Sequence, residues 1–149
     1  MENLFNQPAY GKIKKRLDRL NVSHTPLWGK MNVTQMLQHC TRTFGFALAT
    51  KPAPRHWLGL MAGWMFKKSL YDDKPWKKGL PTAPHLRVTD TGNFEEEKQL
   101  LSNTIDEFYN RGPEKAGMFT HPVFGNFTKE QWGMMCYKHL DHHFRQFGV

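Results

Sequence analysis

Tyr10, Ile13, Leu17 and Leu20 recur at helical spacing with lysines interleaved between them. That pattern predicts an amphipathic helix ending near Asn21. Residues Ser23 to Trp28, with Pro26 inside, read as a connector. A second helix is predicted from Asn32, whose side chain can accept a backbone N–H, with Gln35 three residues on completing a capping box. Met36, Cys40, Phe44 and Ala47 then share one face. The pattern fades by Thr50, and Pro52 and Pro54 end it. A third helix opens at Asn93, with Glu96 in the box position. Its face is Phe94, Leu101, Ile105 and Phe108, and Gly112-Pro113 closes it. The last begins at Thr128, with Gln131 three residues on, and runs to about Phe147, where Gly148 is placed as a stop.

The segment between the second and third helices is the least regular. Its apolar stretch, Trp57 to Leu70, predicts a short buried helix. The following YDDKPWKKGLPTAPHLRV carries Pro75, Pro81 and Pro84, which disfavour a helix. The Lys51–Thr91 segment therefore reads as an extended crossover, or as a lid, since long irregular segments in compact domains are often functional. A second loop spans residues 114–127. No run reads as a convincing strand. The expected fold is all-α, a four-helix bundle with a long crossover between the second and third long helices and an extra short helix.

At 149 residues one domain, 1–149, is expected. Twenty aromatics (11 Phe, 5 Trp, 4 Tyr) exclude a disordered chain. The longest apolar run, Trp57 to Phe66, falls short of the about 20 residues a bilayer span needs, so no membrane partner is expected. The opening MENLFNQPAYGK has no basic stretch followed by an apolar one, and Cys40 and Cys136 make no disulfide framework. A cytoplasmic location is expected. Lys+Arg 21 against Asp+Glu 13 gives +8, gathered around Lys12 to Arg19 and Lys67 to Lys78. Such excess attracts phosphates or acidic partners without specifying one, and no zinc-finger or RNA-binding motif accompanies it. A solvated basic face is the simpler reading, and no specific nucleic acid is expected.

The chemistry concentrates in the last helix. His139 and His143 sit four apart, so their rings lie roughly 40° apart around the axis and point the same way. Trp132, Met135, Cys136 and Leu140 fall on that side, while Lys138, Asp141 and Arg145 fall outside the stripe and His142 lies at its margin. Such a pair suits one metal ion, or a hydrogen-bonded structural role. Leu140 stands where the zinc-protease motif H-E-x-x-H has its glutamate, so no ready-made carboxylate base is present. A third ligand must come from another helix. His39 is the best candidate, though it lies beside the Met36/Cys40/Phe44 stripe and reads equally as a boundary histidine. Three imidazoles plus water would make an open site. Cys40 and Cys136 compete as soft ligands or reactive thiols, or serve as small buried apolar residues. His121 could reach the mouth of a site or organise its loop with Pro122. Gln35 and Gln146 could support the ligands or serve only as capping and near-terminal residues. Trp28 and Trp132 read as core or connector packing.

The paired histidines downstream of one on the second helix resemble the DinB/YfiT-like superfamily of metal-dependent bundle proteins. Three stretches resemble one bacterial branch of unassigned function: LWGKMNVTQMLQHC (Leu27 to Cys40), KGLPTAP (Lys78 to Pro84) and HPVFGNFTKEQWGMMCYKHLDHHFRQFG (His121 to Gly148). The resemblance implies a four-helix bundle with one divalent metal, Zn, Ni or Fe, on His39, His139 and His143. Better-understood relatives use the metal to activate a low-molecular-weight thiol. The Lys51–Thr91 segment and the His-Pro loop depart from those relatives, so their reaction is not carried over. The expectation is metal-dependent transfer to, or hydrolysis of, a small electrophile by an activated thiol or water. The partners are then a small-molecule substrate or thiol, with a homodimer allowed. The alternatives are a basic polyanion-binding module with structural histidines, or a metal-binding protein without catalysis.

Overall fold

A computed structural model describes residues 2–54, 63, 65–80, 82, 86–89 and 92–149. Among these residues are four long helices, α1 (Gln7–Arg19), α2 (Val33–Ala47), α3 (Phe94–Lys115) and α4 (Lys129–Gln146), with a 3-10 turn at Lys68–Leu70. Among the described residues there is no strand, only an isolated bridge between His121 and Gly125. The fold is all-α.

Three of the long helices, α2, α3 and α4, start where side-chain acceptors meet the unpaired N–H groups of a first turn, while α1 starts with Pro8 in its first turn. Asn32 accepts from the Gln35 N–H at 2.8 Å and Gln35 returns the bond at 3.1 Å. Thr128 and Gln131 form the same reciprocal pair at the start of α4. Asn93 accepts from the N–H groups of both Glu95 and Glu96. Each such cap stabilises its helix by about 1 kcal/mol. The end of α3 differs from the expectation. Gly112 takes φ +67 and breaks the helix, but Pro113, with its preset φ, starts one further turn that reaches Lys115.

The buried faces are those the periodicity selects: Ile13, Leu17 and Leu20; Met36, Cys40, Phe44 and Ala47; Phe94, Leu101, Ile105 and Phe108; Trp132, Met135, Cys136 and Leu140. A fully buried leucine or phenylalanine contributes about 1.5–3 kcal/mol, so each stripe suffices to hold its helix inward. α1 and α2 each pack on both α3 and α4. Phe108 sits between Phe5, stacked at 4.6 Å, and Phe44, edge-on at 5.4 Å. α2 and α4 are therefore neighbours, with their mid-helix positions facing each other.

The crossover corrects two expectations. Half of the stretch read as a short buried helix, Trp57 to Leu70, lies outside the described residues. Its described residues are helical at 63 and 65–67, as expected, with Gly63 buried, but Met65 at 66% and Phe66 at 60% are exposed, and the stretch closes in the 3-10 turn. Lys138, placed outside the apolar stripe of α4 by periodicity, is only 5% exposed. The crossover runs over it. Its ammonium donates to the Ser69 carbonyl at 2.6 Å, the Asp72 carbonyl at 2.9 Å and the Asp72 carboxylate at 2.6 Å. Three donors meet three acceptors, which is how a buried ammonium is tolerated.

Candidate metal centre

His39 projects from the middle of α2, and His139 and His143 from successive turns of α4. All three are buried, and one ring nitrogen from each lies within 4.8 Å of the others. The Nε2 atoms of His39 and His139 are 3.0 Å apart. Ligands side by side on one ion with bonds of about 2.0–2.1 Å lie about 2.9–3.4 Å apart, so this spacing fits two donors of one cation.

The outer nitrogens decide which way the lone pairs face. His39 Nδ1 donates to the Leu86 carbonyl at 3.1 Å, and His143 Nδ1 donates to Gln146 Oε1 at 2.9 Å. Each bond assigns its ring the tautomer with a bare Nε2. Gln146 is oriented in turn by donating to the Trp28 carbonyl at 2.6 Å. Gly29 makes room for this. It holds φ +85, and a Cβ on it would stand 2.6 Å from the Gln146 amide nitrogen. His139 has no such support, since its Nδ1 is buried without a partner among the described residues. Because His39 Nε2 is bare, the facing His139 Nε2 either donates a proton to it or shares a cation with it.

Burial keeps the cluster neutral. It is the first cause lowering all three imidazoles, and mutual repulsion adds to it at His139 and His143. His143 is brought down to about 3, and His139 well below the ordinary value. Neutral imidazoles with converging lone pairs are the donor set that zinc, nickel, iron and copper accept.

Aromatic rings border the cluster. Trp76, from the crossover, lies 5.8 Å from His139 and 5.5 Å from His142. Trp28 meets His142 edge-on at 5.9 Å. His142 is half-buried at the margin, as its angle on the helix implies, and its ring is 5.2 Å from that of His143. Trp28, read as connector packing, thus borders the site on its ring side and orients Gln146 through its carbonyl.

The other candidates fall elsewhere. Gln35 is spent on its capping box. His121 accepts from the N–H groups of Val123 and Phe124 and packs against Phe46, so it organises its loop. Trp132 is core, 1% exposed. Both cysteines are fully buried, and that burial pushes their thiols far up, away from thiolate. Sequence reasoning missed Trp76, the Leu86 carbonyl and the Lys138–Asp72 pair, all of which involve the crossover. A tryptophan amid prolines and lysines was the one visible signal.

A family model described as "Protein of unknown function (DUF1569)" matches residues 5–148. No curated protein and no solved structure matches the chain.

Proposed function

We propose that this chain, which belongs to that uncharacterised family, is a metal protein holding one divalent ion on His39, His139 and His143. In this reading it is a single-domain four-helix bundle of the DinB/YfiT-like type, with the crossover between α2 and α3 beside the ion. The observation that carries the reading is the 3.0 Å approach of the His39 and His139 Nε2 atoms, where the Leu86 carbonyl assigns a bare lone pair to His39. The bare His39 Nε2 takes either a proton from His139 or a shared cation, and the third bare nitrogen converging there, the Nε2 of His143, favours the cation. No carboxylate or thiolate stands among the three donors, which leaves positions for an incoming ligand.

A divalent ion there would supply Lewis acidity, lowering the pKa of a bound thiol or water toward neutrality. The protein's own part is positional. Leu86 and Gln146 fix two ring tautomers, the low dielectric keeps all three imidazoles unprotonated, and Trp28 and Trp76 narrow the approach. The resemblance favours a small thiol and a small-molecule electrophile as the reactants.

The polyanion reading has less support. Within the N-terminal basic cluster, Lys12 pairs with Glu2, Lys14 with Asp106 and Arg16 with Asp141. That charge is partly spent inside the protein. No described helix is long and apolar enough to cross a membrane.

The test is elemental analysis of tag-free protein with matched variants. One equivalent of metal is expected in the wild type. His39→Ala, His139→Ala and His143→Ala should lose most of it, and His142→Ala should keep it. Equal retention in all four variants would refute the site.

A further inference from the structure

Resting on that metal reading, we infer that the mouth of the centre selects a small planar anion of the aromatic-carboxylate class. The argument has a charge part and a shape part.

Three neutral imidazoles leave the two charges of a divalent ion uncompensated. Among the described residues, two cations near the site add to that excess. Arg42 follows His39 by three residues in α2, and its guanidinium donates to the Arg87 carbonyl at 3.0 Å. Lys78 holds its ammonium 4.7 Å from the centre of the Trp28 ring. Among the described residues, two acids near the site are already engaged. Asp72 is paired with Lys138, and Asp141 lies between Arg16 and Arg145. A ligand carrying a carboxylate would meet a positive mouth and bring the charge that the protein withholds.

Shape comes from the two indoles. Trp28 and Trp76 both contact His142, Trp76 also contacts His139, and both indoles are only half-buried, leaving ring surface to a ligand. Trp76 is held by its ring, and Trp28 at its backbone. The Trp28 carbonyl is tied to Gln146, and the Trp76 Nε1–H donates to the Ser69 carbonyl at 2.7 Å, the same carbonyl that Lys138 holds. Fixed aromatic faces beside a cationic site favour a flat ligand over a puckered one of equal charge, because only the flat one stacks without loss of contact.

The experiment uses Co(II)-loaded protein and follows the visible absorption of the cobalt. Benzoate, cyclohexanecarboxylate, acetate and benzylammonium are titrated in turn. Benzoate should bind about tenfold more tightly than cyclohexanecarboxylate, the scale of one aromatic stacking contact, and benzylammonium should not bind. Trp76→Leu should abolish that preference at unchanged cobalt stoichiometry, and Trp76→Phe should keep most of it. Lys78→Gln should weaken all three carboxylates by a similar factor. Equal affinity for benzoate and cyclohexanecarboxylate, or a preference that survives Trp76→Leu, overturns the inference and leaves the metal site standing. Failure to take up stoichiometric cobalt overturns the metal reading and the inference together.

Discussion

His143 and Gln146, one turn apart at the end of α4, share a 2.9 Å hydrogen bond from Nδ1 to Oε1. The same amide donates to the Trp28 carbonyl at 2.6 Å, so the connector before α2 reaches a candidate ligand through one side chain. Such supporting bonds set the tautomer and aim of a ligating histidine.

Gln146→Ala should therefore weaken metal binding about 10–100-fold without removing a ligand, as loss of a supporting partner does. Gly29→Ala should act in the same direction, because its Cβ would press on the amide and its φ is strained for alanine. Competition with a chelator of known affinity reads both. Unchanged affinity in Gln146→Ala would mean that His143 needs no orienting partner.

Acid should destabilise the metal-free protein through the same cluster. The folded-state pKa values of His39, His139 and His143 are lowered from 6.5, that of His143 to about 3. Above pH 6.5 both folded and unfolded imidazoles are neutral, and this contribution to stability is fully present. As pH falls from 6.5 toward 3 the unfolded chain binds protons that the folded cluster refuses, so stability is lost across that window. The slope is about 1.4 kcal/mol per pH unit for each histidine that stays neutral. Urea unfolding of the apo protein between pH 7.5 and 4 measures it, and His143→Gln should flatten it.

Lys138→Met should loosen the crossover. Three acceptors lose a charged donor, and hydrogen bonds to charged groups are each worth about 1.5–3 kcal/mol. Because Asp72 keeps partial exposure, its carboxylate recovers water, and the net loss should be about 1–3 kcal/mol. A lower unfolding midpoint should come with changed Trp76 emission, identified by its absence in Trp76→Phe. A midpoint shift with no change in Trp76 emission would mean that Lys138 does not seat the indole.

Cys40 and Cys136 should stay inert toward a thiol-specific reagent in the native protein and react only on unfolding. Full burial removes access and raises both thiols away from thiolate. Metal content should survive Cys40→Ala and Cys136→Ala. Loss of metal in Cys136→Ala would add a sulfur ligand to the set.

The elements that the chain announces by itself are those set by local rules. Asn32 with Gln35 and Thr128 with Gln131 start helices because a cap needs only residues three apart. The inward turn of His139 and His143 follows from 3.6 residues per turn, and Leu140 and Cys136 beside them mark the core side. His39 was harder to place. It stood at the edge of its stripe, and only the packing of α2 against α4 showed that edge to be buried. The crossover escaped local rules almost entirely. Periodicity put Lys138 toward solvent because it cannot know that Ser69 and Asp72, more than sixty residues earlier, lay their carbonyls over it. Leu86 and Trp76 come to the histidines in the same way, through chain with no repeating pattern. Helical period and capping are encoded within a turn or two, whereas a carbonyl over a histidine is a long-range contact that only the folded chain defines.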